Sequence, residues 1–107
     1  PSYFHYIVHM VIELDKDNLA DYMSEETLLV VASASWCGSC TKLKPHLYKL
    51  GDDITVVILD AEKHLRSMKF LPGKTAFYPR LGYYEKGYYI GDIQQLDVIN
   101  GLKLGEI

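Results

Sequence analysis

The sequence predicts an α/β domain: a central mixed β-sheet flanked by helices on both faces. Three observations carry this. Two continuous apolar runs, Leu28–Ala32 and Ile54–Leu59, have the character of parallel strands covered on both sides. Stretches with apolar residues at helical spacing alternate with them. Two further strand-like stretches, Arg80–Tyr84 and Tyr88–Ile90, flank Glu85-Lys86-Gly87, which suits a tight hairpin turn. Strands alternating with helices imply parallel pairing, and the late hairpin adds an antiparallel portion.

Two readings stand open for residues 1–9. His9-Met10 matches what a cloning junction leaves, and Tyr6-Ile7-Val8 also suits a strand in a native extension. The domain proper is expected over residues 10–107. Val11–Leu14 reads as a short strand. Asp15–Asn18 offers helix caps, and Leu19, Tyr22 and Met23 supply an apolar face behind them. After the strand at Leu28–Ala32, Leu43, Leu47 and Leu50 mark the buried side of a helix. Pro45 removes one hydrogen bond inside it, which predicts a kink. Beyond the strand at Ile54–Leu59, Asp60 is placed to cap a helix burying Leu65 and Met68, and Pro72-Gly73 ends it. Asp92 is expected to begin the last helix, with Gln95 completing a capping box. Ile93, Leu96, Ile99 and Leu102 would line its buried side.

A chain of 107 residues makes one domain rather than two. The net charge of −3 points to neither nucleic acid nor a membrane surface as a partner. No apolar run reaches the length of a membrane span. Tyr83, Tyr84, Tyr88 and Tyr89 suggest a stacking platform, but no basic stripe accompanies them, and tyrosine is favoured in strands anyway. Size and modest charge are compatible with a monomer. Two cysteines and no secretory leader pattern suggest a reducing compartment and a cytoplasmic location.

Both cysteines lie in Trp36-Cys37-Gly38-Ser39-Cys40, where an apolar strand gives way to a helix. A helix N-terminus stabilises an anion through its free N–H groups and partial positive charge. A thiol there ionises more readily, and the thiolate is the nucleophile. Cys37 is therefore expected to be the exposed nucleophile, with Gly38 and Ser39 small enough to leave it accessible. Cys40, one turn on, faces inward and resolves a mixed disulfide. A zinc site would need further ligands, and His46 and His64 do not make the usual pairing. An iron–sulfur cluster needs more thiolates than the chain has. A merely structural disulfide would close too small a loop to stabilise much. His5, His9, His46 and His64 are expected to face solvent. Redox exchange is the chemistry that fits the pair, with no metal.

The segment Leu28–Pro45, with its apolar strand, Trp-Cys-Gly-x-Cys motif and a proline five residues after the second cysteine, resembles the active-site region of the thioredoxin family. The resemblance extends more loosely over Met10–Leu104. It implies the thioredoxin fold and a thiol–disulfide oxidoreductase that reduces protein disulfides through a mixed disulfide. It implies no cofactor beyond the redox-active Cys37–Cys40 disulfide. Its implied partners are protein disulfide substrates and a dithiol-reducing enzyme, such as a thioredoxin reductase or the glutathione system. Trp36, Gly38 and Ser39 would support the active site. The family's cis-proline falls on Pro79, which directly precedes the hairpin, rather than on Pro72. Tyr78, Arg80 and Trp36 would then border the substrate groove, where Arg80 could favour acidic partners.

Four positions depart from the family's pattern. Val31 replaces a buried aspartate, Ile58 a lysine, Ser39 the proline between the cysteines, and Thr41 a basic residue. Without a nearby base, resolution by Cys40 should be slow, since only the thiolate attacks. That departure keeps two alternatives open: a non-catalytic partner subunit of a larger assembly, and a disulfide oxidant or isomerase.

Overall fold

The computed structural model describes residues 10–101. The expectations for Pro1–His9 and Leu102 lie outside them. The order is β1 (Val11–Glu13), a 3₁₀ turn (Leu19–Tyr22), β2 (Thr27–Ser33), α1 (Gly38–Leu50), β3 (Thr55–Asp60), α2 (Leu65–Met68), β4 (Arg80–Glu85), β5 (Tyr88–Ile93) and α3 (Gln95–Ile99). The five strands form one sheet in the order β1-β3-β2-β4-β5. β1, β3 and β2 are parallel, and β4 and β5 run antiparallel to their neighbours.

Successive side chains of a strand point to opposite faces. In β2 the odd positions Leu29 and Val31 join Val56, Ile58 and Leu81 under Leu43 and Leu47 of α1 and Val98 of α3. The even positions Leu28, Val30 and Ala32 join Val57 and Leu59 on the other face, covered by Leu19 and Leu71, with Met68 packed against them. Covering on both faces is why β2 and β3 read as unbroken apolar runs. At the hairpin, Lys86 and Gly87 both take positive φ, 51° and 84°, as a turn matched to strand twist requires.

Several local expectations are corrected. Asp92 does not start a helix: β5 runs on to Ile93, and Asp92 pairs with Arg80 at 3.1 Å. Gln94 precedes α3 with no side-chain cap, so no capping box forms. Leu96 and Ile99 are exposed, and Val98 carries the packing instead. Leu65 is also exposed. The expected first helix is a 3₁₀ turn, whose N-cap Asn18 makes no side-chain capping bond. The Asp17 carboxylate accepts the N–H groups of Arg66 and Ser67, at 2.8 Å each, and so caps α2 from a distant part of the chain. Asp60 accepts from Glu62 and Lys63 in the turn before α2. His64 is buried rather than solvent-facing, its Nδ1 accepting the Asp60 N–H at 2.9 Å. Pro45 lies within α1, which continues through it to Leu50.

Candidate active site

The site forms at the carboxyl end of β2, where the chain leaves the sheet and turns into α1. Cys37 is the N-cap of α1, with extended backbone, and its N–H bonds to the Ala34 carbonyl. Its sulfur accepts the Cys40 N–H at 3.1 Å, the side-chain role that serine or aspartate fills at other helix starts. Cys40 is one turn further on, and the two are joined as a disulfide with Cα atoms 5.3 Å apart. In the disulfide the sulfur of Cys37 carries no hydrogen. The Ser39 hydroxyl, 3.5 Å away, is then the donor of that pair. Two donors thus converge on the sulfur, an arrangement that favours a thiolate when the bond is reduced.

The exposure expected of Cys37 is corrected: as the disulfide it is only 6% exposed, against 4% for Cys40. Ala34, Cys37 and Cys40 form one small buried cluster, with Tyr78 packed on it. Trp36 stands beside them, 68% exposed, its ring edge-on to Tyr78 with centroids 5.8 Å apart. Gly38 and Ser39 are exposed, as access requires. The Tyr78–Pro79 peptide bond is cis, and Pro79 is buried directly before β4. Phe77, which the motif does not single out, is 72% exposed on the same loop. Trp36 and Tyr78 thus supply aromatic surface around a shielded sulfur, with Phe77 exposed next to Tyr78 in the chain.

Arg80 is placed beside this loop, but its charge is spoken for. Its guanidinium donates to Asp92 at 3.1 Å, to the Thr75 hydroxyl at 3.1 Å and to the Pro72 carbonyl. With its side chain only 11% exposed, Arg80 does not offer the free cation that an attraction for acidic partners would need.

Val31 and Ile58 are register partners, both buried in the face beneath α1. The next position in that row is Glu13, the partner of Ile58 in β1. Its carboxylate accepts from Lys44 at 2.6 Å and from the Tyr48 hydroxyl. Hydrogen bonds from Lys44 and Tyr48 hold the Glu13 carboxyl below the usual carboxylate range, and the Glu13 bond raises Lys44 in turn. The charged group on this face therefore ties β1 to α1 at the rim, while the row's centre is hydrocarbon. A cavity of about 230 Å³ opens there, lined by Glu13, Lys44, Thr41, Ile58 and Ala34 among others. Lys44 and Tyr48, four residues apart on α1, are the sequence signal for this clasp.

Comparison with known proteins agrees with the geometry. A family model described as thioredoxin matches residues 10–102. Protein disulfide isomerase-like 2-2 of rice (Oryza sativa subsp. japonica) is 35% identical over 92 aligned residues, covering 77% of this chain. The chain spans only 24% of that relative's length. Among solved structures, thioredoxin f from spinach chloroplast (short form) superposes with a TM-score of 0.72 at 17% identity, over 95% of this chain and 98% of that one. A mutant thioredoxin from Halobacterium salinarum NRC-1 gives 0.71 at 16% identity, over 89% of each chain. The structural matches bear on the fold, the family match on the site: with a disulfide-forming Cys-x-x-Cys at the first turn of α1, this chain belongs to the thioredoxin family.

Proposed function

We propose that the protein reduces disulfides in protein substrates, in a reducing compartment such as the cytoplasm. The observation that carries this is the Cys37 sulfur at the start of α1, with the Cys40 N–H and the Ser39 hydroxyl aimed at it. Reduced Cys37 attacks one sulfur of a substrate disulfide as the thiolate. A bond forms between Cys37 and that sulfur, and the other leaves as a thiolate that takes up a proton. Cys40 then gives up its proton and attacks the Cys37 sulfur. The first substrate sulfur departs with both electrons of the mixed disulfide, and the Cys37–Cys40 disulfide closes. The dithiol of a thioredoxin reductase, or two glutathione thiols that leave as their disulfide, returns two electrons and two protons.

A second reading has its own support. Donors that stabilise the Cys37 thiolate stabilise the reduced protein and so raise its potential. The similarity to a protein named as disulfide isomerase-like points the same way. The test is a redox titration followed by Trp36 fluorescence. A midpoint near about −270 mV supports reduction, and one approaching about −120 mV supports disulfide formation or isomerisation. Absence of a reversible two-electron transition would overturn both and leave a binding role.

A further inference from the structure

Arg80 does something the exchange reaction itself does not require. Residues 72–79 form neither helix nor strand, yet they carry Tyr78 to the edge of the disulfide, with the exposed Phe77 just before it. Such a segment has no ladder of backbone bonds to hold it and depends on anchors from outside. One guanidinium supplies several. It donates to the Pro72 carbonyl and the Thr75 hydroxyl on the loop side. On the sheet side it donates to both carboxylate oxygens of Asp92, at 3.1 and 3.4 Å. Asp92 is held in turn by the Tyr89 hydroxyl, and the Tyr89 ring stands edge-on to Tyr84. Arg80 is itself fixed by the sheet, since its Cα pairs with Ala32 of β2. The loop is therefore referenced to the same strand that delivers Cys37.

We propose that Arg80 is a positioning residue for exchange with protein substrates: it sets the loop bearing Phe77 and Tyr78 against the cysteine pair. The inference rests on the disulfide-exchange reading. Because Cys37 is nearly buried, a protein disulfide that reaches its sulfur passes the aromatic surface of Trp36 and Tyr78. A docking surface of this kind binds well only when it is held in place beforehand. Arginine suits the task because its planar fork reaches a carboxylate, a hydroxyl and a carbonyl at once. A lysine ammonium is a compact charge and cannot span all three.

The test uses the full chain and two substrates. Insulin probes docking, and hydroxyethyl disulfide, too small to lie across the loop, probes thiol chemistry. Arg80→Lys and Arg80→Ala should raise KM for insulin about tenfold, the order expected when a preorganised surface is loosened, with kcat changed much less. The second-order rate with hydroxyethyl disulfide should fall far less than kcat/KM for insulin. Asp92→Asn leaves the loop-side bonds in place, so its effect on KM should be smaller than that of Arg80→Lys. If Arg80→Ala does not fold, Arg80→Lys carries the comparison. An unchanged insulin KM, or equal losses with both substrates, overturns the proposal. So does a larger effect from Asp92→Asn than from Arg80→Lys, which would assign the role to the ion pair alone. Failure of the unaltered protein to turn over hydroxyethyl disulfide would instead remove the exchange reading.

Discussion

Ser39→Ala is the substitution whose sign the structure now fixes. The hydroxyl lies 3.5 Å from the Cys37 sulfur and is one of two donors that converge on it. A hydrogen bond to a charged acceptor contributes about 1.5–3 kcal/mol. This one is long and Ser39 is exposed, so about 1 kcal/mol is the appropriate scale. Loss of that amount from the thiolate, but not from the thiol, reduces the ionised fraction about fivefold where the thiol predominates. Alkylation by iodoacetamide, which needs the thiolate, should slow accordingly near neutral pH. The same free energy taken from the reduced state lowers the potential by about 20 mV, measured where Cys37 is ionised. Ser39→Thr keeps a hydroxyl and should hold both values near those of the unaltered protein. The reasoning fails if Ser39→Ala leaves alkylation rate and potential unmoved, or raises the potential.

The remaining predictions concern the face beneath α1 and its supports. Val31→Asp puts a carboxyl where a residue is 1% exposed, so burial should raise its pKa toward that of a useful proton acceptor. Resolution of the mixed disulfide at neutral pH should quicken, as quenched-flow trapping would show, while the fold loses about 3 kcal/mol; an unchanged resolution rate would refute the role given to the missing acid. Glu13→Gln tests the clasp by denaturation at several pH values. The Glu13 pKa is depressed in the folded state by its bonds from Lys44 and Tyr48, so the stabilisation is complete above the ordinary carboxylate pKa and fades as pH falls through the folded value. The pair is half-exposed, so the difference from the unaltered protein should be under about 1 kcal/mol at neutral pH and vanish in acid. Leu43→Ala empties a fully buried site on α1 and should destabilise by about 3 kcal/mol in urea unfolding, with the slope unchanged. Asp17→Ala should release the Arg66 and Ser67 amides to rapid hydrogen exchange without affecting those of β2.

What is legible in the sequence follows from which interactions are local. Leu28–Ala32 and Ile54–Leu59 are buried on both faces, so composition alone marks them, and the helix after Cys37 shows its Leu43 and Leu47 stripe. The cysteine pair is a local motif on a local structural junction, and it can be read directly. The failures share a cause as well. Asp17, Asp92 and Arg80 have partners 49, 12 and 5 or more residues away, so their roles depend on the fold already being formed. Asp92-Ile93-Gln94-Gln95 has the pattern of a helix start, but Arg80 claims the carboxylate and the edge ladder claims the backbone. Leu65 and Leu96 have helical spacing but belong to helices of four and five residues, too short to bury a full stripe.

The apolar row at Val31 and Ile58 separates two tasks that a buried acid would couple. Cys37 draws its stabilisation from the helix start, which acts on a thiolate whatever lies below it. Cys40 is buried beside Ala34, and the charged pair that borders this face, Glu13 with Lys44, sits at the rim and is already satisfied. The two donors act on the Cys37 sulfur alone, and among the described residues the buried Cys40 has no charged group of this face beside it. Attack by Cys37 is then expected to outpace release by Cys40, the order that the Val31→Asp measurement tests. A long-lived mixed disulfide would give a bound protein time to rearrange and so favour the isomerase alternative, whereas prompt release would favour the reduction proposed above. The lifetime of that intermediate, more than the rate of its formation, decides which of the two reactions the site serves.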